Sequence, residues 1–153
     1  MRIARLLPTL LAILMAGLLV APGATAEPPL RLATQLTDNA GALSASQRAS
    51  VQQALDQLYE TKRIQLWVVF VEDFSGQSYE GWAQNTIKLS DLGDDDALLA
   101  VATQDRAFAF QVPNTVPGGN ARGDQIRRDS IEPALHRDDW AGAAIAAANG
   151  LKA

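Results

Sequence analysis

The residues best suited to chemistry are three consecutive aspartates, Asp94, Asp95 and Asp96, which follow Gly93. Neighbouring carboxylates repel one another, and this destabilises a fold unless water, hydrogen-bond donors or a cation compensates. Carboxylate oxygens are hard ligands that suit Ca²⁺ or Mg²⁺ better than zinc. The run therefore indicates a divalent-cation site, while a solvated acidic turn without a ligand explains the same three residues.

A second candidate ligand is Asp38, in the segment Thr37-Asp38-Asn39-Ala40-Gly41. Asp and Asn side chains accept hydrogen bonds from the local backbone in turns, and Gly tolerates positive φ. Asp38 is therefore either a cation ligand or a turn residue that bonds its own backbone. Asp91 and Asp105 are interpreted as turn residues.

The sequence offers few groups for covalent catalysis. It has no cysteine, which excludes thiolate chemistry, disulfides and Fe–S clusters, and it has one histidine, His136. No GxSxG motif surrounds a serine, and Gly118–Gly123 lacks the Lys-Ser/Thr of a P-loop. We expect no conventional cofactor, a surface or capping role for His136, and core positions for the three tryptophans.

The first 26 residues have the pattern of a secretory signal peptide. Arg2 and Arg5 precede an apolar run from Leu6 to Val20, and Ala24-Thr25-Ala26 is a small-x-small cleavage site before Glu27. The chain is therefore expected to be exported, to the cell envelope or the extracellular space. An uncleaved N-terminal anchor is the alternative.

Composition limits the remaining function classes. The whole chain has a net charge of -4, and the signal segment contains two arginines and no acidic residue, so residues 27–153 carry -6. This length fits a single domain. The acidic balance argues against nucleic-acid binding, which needs a concentrated basic face. No later segment is apolar for long enough to form a C-terminal membrane anchor.

Three strands and two helices are predicted by hydrophobic patterning. Ile64–Val71 and Ala97–Thr103 are almost continuously apolar, as in strands that are covered on both faces. The alternating segment Arg106–Val112 is predicted to pair with the second of these as a hairpin. Ser44 and Gln47 form a capping box for a helix to about Thr61, and Ser78 is expected to cap a helix to about Ser90.

Further elements are predicted before the first helix and after the hairpin. Leu30–Leu36 is expected to be extended, as an edge strand, and Pro113–Gly123 to be a loop without core residues. Two short helices are expected over Asp124–His136 and Asp138–Ala148, the second ended by Asn149-Gly150.

This order of elements predicts the fold class: an α/β protein with a three-layer α/β/α sandwich around a small, mixed, mostly parallel sheet of about four strands. Its crossovers are expected to be right-handed. Ligands of such sheets settle at the carboxyl ends of the strands, where Asp73 is expected. The acidic run precedes its strand, so this rule does not bring it to the same edge.

Several motifs in this order resemble the TPM domain family. Thr37-Asp38-Asn39-Ala40-Gly41-Ala42-Leu43-Ser44 is similar to the entry motif of the family, and Gln65–Val71 is similar to its central strand. Gly93–Val101 resembles the acidic or Asn-Gly loop that leads into the third strand, and Trp140–Ile145 the last helix of actinobacterial members. The resemblance covers about residues 30–150.

The resemblance implies an exported or membrane-tethered α/β/α domain. Some members bind calcium or magnesium, and some show weak acid phosphatase activity. Carried over by position, it assigns Asp38, Asp94, Asp95 and Asp96 to a cation site. The sequence departs from the family where Asp95-Asp96 replaces the common Asn-Gly.

Three functions remain open from the sequence. The first is a cell-envelope domain that binds Ca²⁺ or Mg²⁺ and acts through an envelope or membrane-associated protein partner, with little or no catalysis. The second is a weak, metal-assisted acid phosphatase in which Arg106 or Arg122 supplies positive charge. The third is an interaction module whose acidic loop is only solvated.

Overall fold

A computed structural model describes residues 26–153, so the predicted signal segment lies outside the described residues except for Ala26. In this described part of the chain, four strands form one sheet in the order β1-β2-β3-β4. β1, β2 and β3 are parallel, and β4 is antiparallel to β3. The strands are β1 Leu36–Asp38, β2 Gln65–Val71, β3 Asp96–Ala102 and β4 Ala107–Gln111. The predicted mixed sheet is confirmed.

The two central strands contain most of the buried aliphatic side chains. Gln65 lies opposite Asp96 and Val71 opposite Ala102, so β2 and β3 are aligned over their full length. Alternate residues of β2 face opposite sides, and Val68 and Val69 are both fully buried. The continuous apolar runs in the sequence follow from this burial on two faces.

Within residues 26–153, five α-helices and one π-helical segment cover the sheet. They are α1 Ala45–Lys62, α2 Tyr79–Ser90, α3 Gly119–Ile126, the π segment Arg127–Ile131, α4 Glu132–His136 and α5 Trp140–Lys152. The predicted capping box at α1 is present, since Ser44 and Gln47 exchange side-chain and backbone hydrogen bonds. Ser78 caps α2 by accepting from the N–H of Gly81 at 3.1 Å.

The helices divide between the two faces of the sheet. Buried residues of α1 and of the C-terminal helices pack with Leu66, Val68 and Phe70, whereas α2 packs with Val69 and Val71. Because β1, β2 and β3 are consecutive in the sheet and α1 and α2 lie on opposite faces, the two crossovers have opposite hands. The expectation of two right-handed crossovers is therefore wrong for one of them. Two crossovers of the same hand would place α1 and α2 on the same face of the sheet. Because β2 and β3 have apolar residues on both faces, each face needs a helix to cover it.

The segment before β1 binds along α2. The indole N–H of Trp82 donates to the carbonyl of Glu27 at 2.8 Å. The N–H of Leu30 donates to Thr86 Oγ1 at 3.3 Å, and that of Leu32 to Ser90 Oγ at 2.9 Å. Trp82, Thr86 and Ser90 are four residues apart and therefore lie on one side of the helix. The backbone of this segment forms hydrogen bonds with side chains of α2 where strand pairing was expected. The observed edge strand begins only at Leu36.

Two boundaries in the C-terminal part differ from expectation. A helix begins at Gly119, inside the predicted Pro113–Gly123 loop, and Val116 in that loop is buried in the core. α5 continues through Gly150 to Lys152, because the glycine there provides room for Ile126 rather than ending the helix. Within residues 26–153, no helix combines the length and apolar character needed to cross a membrane.

Candidate functional site

The four aspartates predicted as cation ligands lie at two opposite edges of the sheet. Asp38 ends β1 opposite Phe70, whereas Asp96 begins β3 opposite Gln65. Phe70 and Gln65 are five residues apart on β2, which corresponds to about 16 Å along the strand direction. The structure therefore does not bring Asp38 together with Asp94, Asp95 and Asp96.

Asp38 organises the loop that leads into α1. Its side chain is 2% exposed. Oδ1 accepts from the N–H groups of Ala40 and Ala42 at 3.2 and 2.9 Å, and Oδ2 accepts from the N–H of Leu43 at 2.9 Å. The guanidinium of Arg48 lies 3.9 Å from Oδ2. Both oxygens thus accept hydrogen bonds from the local backbone, as expected if Asp38 is a turn residue.

The three consecutive aspartates form a turn at the amino edge of β3, which we call the acidic turn (Gly93–Asp96). The N–H of Gly93 donates to Asp96 Oδ2 at 2.6 Å, and the N–H of Asp96 donates to the carbonyl of Gly93 at 3.2 Å. Asp94 and Asp95 are exposed, and their carboxylates make no hydrogen bond within the described part of the chain. Their position leaves both carboxylates free to bind a ligand from solvent.

The carboxylates of the acidic turn do not form a ready-made metal site. Among residues 26–153, no group of three or more His, Asp or Glu side chains is arranged to hold an ion. A cation at the acidic turn would have to draw Asp94 and Asp95 toward Asp96. Such a site is expected to be weak, because the ordering of these side chains opposes binding.

A cavity of about 270 Å³, which we call the basic pocket, adjoins the acidic turn. Asp95 lines it together with Lys62, Arg63 and Arg122. The guanidinium of Arg122 donates to the carbonyl of Gly150 at 3.0 Å and to Gln125 Oε1 at 3.1 Å, which fixes its position. The structure thus brings Asp95 and Arg122, both sequence candidates, to the same pocket.

The carboxyl edge of the sheet carries further acids with local structural partners. Asp73 Oδ1 accepts from the N–H of Ser75 at 2.7 Å, and Asp105 Oδ2 accepts from the N–H of Phe74 at 3.2 Å. Asp105 thus links the loops that follow β2 and β3. Its interpretation as a turn residue agrees with these contacts.

A second cavity, of about 170 Å³, lies near the carboxyl end of β3. We call it the aromatic pocket; its walls include Arg106, Phe108, Glu132, Leu135, His136 and Trp140. Arg106 forms an ion pair with Asp138 at 3.0 Å. The sequence-based predictions do not include this pocket, although the i, i+4 spacing of Glu132 and His136 places both on one side of a helix.

Comparison with known proteins identifies relatives of the chain. A family model described as "TPM domain" matches residues 36–153. UPF0603 protein MT2410 and UPF0603 protein Rv2345, both of Mycobacterium tuberculosis, are each 57% identical over 152 residues. The match includes 99% of this chain and 23% of each relative, so the chain spans about a quarter of their length.

Solved structures with the same architecture include the N-terminal domain of the cg2496 protein from Corynebacterium glutamicum. It superposes with a TM-score of 0.70 at 28% identity, over 83% of each chain. The N-terminal domain of a P. gingivalis protein gives a TM-score of 0.67 at 17% identity, over 77% of this chain and 79% of that one. The second likeness concerns the fold alone.

Proposed function

Because the chain belongs to the TPM domain family, we propose that it is an exported domain that binds a divalent cation weakly at the acidic turn. It acts through contacts with a protein partner of the cell envelope, with little or no catalysis. The observation that carries the proposal is the pair of exposed carboxylates of Asp94 and Asp95, which lack hydrogen-bond partners within residues 26–153.

The ligand chemistry of the acidic turn suits Ca²⁺, with Mg²⁺ as the second ion to test. Ca²⁺ accepts six to eight oxygen ligands in flexible geometry, and water completes its coordination where protein oxygens are few. Three adjacent carboxylates have six oxygens, of which Asp96 Oδ2 already accepts from the N–H of Gly93. Asp38 is not used, since its carboxylate lies at the other edge of the sheet and bonds the backbone there.

A cation would also relieve the repulsion within the acidic turn. Residues 27–153 carry a net charge of -6, and three of the acids are adjacent in sequence. Extracellular modules bind Ca²⁺ with dissociation constants of about 10⁻⁴–10⁻³ M. We expect this range because the carboxylates are exposed and not arranged in advance.

The proposal predicts that Ca²⁺ stabilises the folded chain. At a ligand concentration of about one hundred times the dissociation constant, the free energy of unfolding rises by about 2.7 kcal/mol. Thermal or urea unfolding in EDTA and then in rising Ca²⁺ measures the change. An identical series with Mg²⁺ compares the two ions, and equal ionic strength throughout removes general screening.

Matched variants locate the effect. The double variant Asp94→Asn, Asp95→Asn should lose most of the Ca²⁺-dependent stabilisation. Asp129→Asn removes one similarly exposed carboxylate from the π segment and should leave the response unchanged. The cation-binding part of the proposal is contradicted if Ca²⁺ leaves wild type unaffected, or stabilises wild type and the double variant equally.

A second candidate is a weak, metal-assisted phosphomonoesterase, and the basic pocket favours it. Lys62, Arg63 and Arg122 adjoin Asp95, so an anionic phosphate would meet three positive charges beside the acidic turn. A cation bound there would polarise the phosphate and lower the pKa of a bound water. Phosphate-monoester hydrolysis is extremely slow without a catalyst, and we expect low turnover from a site whose carboxylates are not positioned in advance.

Hydrolysis of p-nitrophenyl phosphate tests this candidate. We expect slow release of nitrophenol that requires Ca²⁺ or Mg²⁺, stops in EDTA and falls at least tenfold in Asp95→Asn. Lys88→Gln changes an exposed cation on α2, away from the basic pocket, and serves as the control. Activity that survives both EDTA and loss of the aspartates would originate from a contaminating enzyme.

A further inference from the structure

The aromatic pocket combines two aromatic rings with the carboxylate of Glu132, which forms no ion pair within residues 26–153. Phe108 and Trp140 line it, and both side chains are partly exposed. Glu132 and His136 face the same pocket from successive turns of α4. Within residues 26–153, neither of these two side chains makes a hydrogen bond or an ion pair, so both are available to a ligand.

The pocket lining contains one basic side chain, Arg106, and one acidic side chain, Glu132, besides His136. The Arg106 guanidinium lies 3.0 Å from one oxygen of Asp138 and 3.1 Å from the other, so its charge is compensated. Among the residues that line the pocket, the Glu132 carboxylate then remains without an ion-pair partner. Aromatic faces attract cations through the ring quadrupole, and Phe108 already has the guanidinium of Arg127 5.4 Å from its centroid.

The size of the pocket limits what it can hold. Its volume is about 170 Å³, whereas pockets for whole small molecules and cofactors measure roughly 300–1,000 Å³. A single long side chain is a better match, because its apolar stem can contact Leu135 while its charged end reaches Glu132.

We propose that the aromatic pocket binds a lysine or arginine side chain of a partner protein. Trp140 and Phe108 contact the bound side chain, and Glu132 pairs with its cationic end. The net charge of -6 over residues 27–153 attracts a basic partner over longer distances. This inference rests on the protein-contact part of the proposed function and identifies the chemistry of that contact.

A titration of the full chain with short capped peptides tests the inference. The probe is acetyl-Gly-Lys-Gly-amide; the same peptide with arginine, with acetylated lysine or with glutamate provides the comparison. NMR follows the indole N–H of Trp140 and the amide signals of Phe108 and Glu132. We expect saturable shifts with lysine and arginine, and at least fivefold weaker binding of acetylated lysine, which has no charge.

Variants separate recognition from folding. Glu132→Gln should weaken lysine-peptide binding at least fivefold, whereas Glu80→Gln, an exposed acid on α2, should leave it unchanged. Trp140→Leu should weaken binding, and Trp140→Phe, which keeps an aromatic ring, should retain most of it. The inference is overturned if acetylated lysine binds as well as lysine, or if Glu132→Gln binds like wild type.

The result is distinguishable from failure of the proposed function. The acidic turn lies at the amino edge of β3, while the aromatic pocket lies near the carboxyl end of that strand. Loss of the Ca²⁺ response in Asp94→Asn, Asp95→Asn should therefore leave lysine-peptide binding intact. If only the glutamate peptide shifts the pocket signals, the pocket recognises an acidic group; this inference then fails, and the proposed protein contact remains.

Discussion

Asp38 and Asp95 have the same side chain but opposite surroundings. The Asp38 carboxylate is buried and accepts three backbone hydrogen bonds, whereas Asp95 is exposed beside three basic residues. A buried carboxylate bonded in this way stabilises the loop around it, because hydrogen bonds to charged groups are stronger than neutral ones. An exposed carboxylate contributes little to stability and is free to bind a ligand.

Replacing Asp38 by alanine should lower the free energy of unfolding by about 2–3 kcal/mol, because three N–H groups lose their acceptor. Asp38→Asn should cost less, since one oxygen remains to bond Ala40 and Ala42. Urea unfolding measures both. The exposed Asp129→Asn is the control and should change stability by less than about 0.5 kcal/mol.

The same variants test the role of Asp38 as a cation ligand. If this residue only organises its loop, Asp38→Asn should respond to Ca²⁺ as wild type does, although its midpoint is lower throughout. A folded Asp38→Asn protein without a Ca²⁺ response would show that Asp38 is a ligand and that the cation binds at its end of the sheet.

At the scale of elements, local chemistry was sufficient to predict the central strands and the starts of the first two helices. The Ser44–Gln47 box and the Ser78 cap depend on residues three apart in sequence, so a sequence pattern contains them completely. The acidic turn was also predicted to precede its strand. Sequence alone could not give the distance from Asp38 to this turn, which depends on the register of β1, β2 and β3.

The aromatic pocket and α5 show why the C-terminal part was harder to predict. The pocket joins Phe108 of β4 to residues 24 to 32 positions later, and no local spacing indicates that approach. The Asn149-Gly150 pair has the signature of a helix end. Gly150 is instead required by packing, because a Cβ there would lie 2.7 Å from Cγ2 of Ile126.

Gly150→Ala therefore tests helix propensity against packing. Alanine is favoured over glycine in a helix by about 1 kcal/mol, but the added methyl group would displace the buried Ile126, and overpacking costs about 1–3 kcal/mol. We expect a net loss of about 1 kcal/mol in the free energy of unfolding. Asn149→Ala, exposed on the same turn, should be neutral or slightly stabilising. A Gly150→Ala variant that is more stable than wild type would contradict this close contact.

In the domain as a whole, the two candidate sites lie outside the hydrophobic cores that stabilise the fold. The larger core lies between the sheet and the helices α1 and α3–α5, and the smaller one between the sheet and α2. The acidic turn and the aromatic pocket lie at opposite ends of β3. Because β3 is buried along almost its full length, a ligand at one end has a rigid strand between it and the other site.

The smaller core also depends on the segment that follows the predicted signal peptide. Leu32 is 6% exposed and packs on α2 together with Leu30. Three side chains of α2 bond the backbone of Glu27, Leu30 and Leu32. This segment therefore belongs to the folded domain and is not a flexible connection.

Two truncated chains test that conclusion. A chain that starts at Glu27 should unfold cooperatively with high stability. One that starts at Ala33 should lose about 3 kcal/mol or more, since burial of a leucine contributes about 1.5–3 kcal/mol and the buried Trp82 indole loses its acceptor, at about 1–3 kcal/mol. Urea unfolding gives the difference, and a red shift of tryptophan emission would report exposure of Trp82.

Arg31→Ala, an exposed change in the same segment, is the control and should behave like wild type. Equal stability of the two truncated chains would show that the α2 layer is complete without residues 27–32.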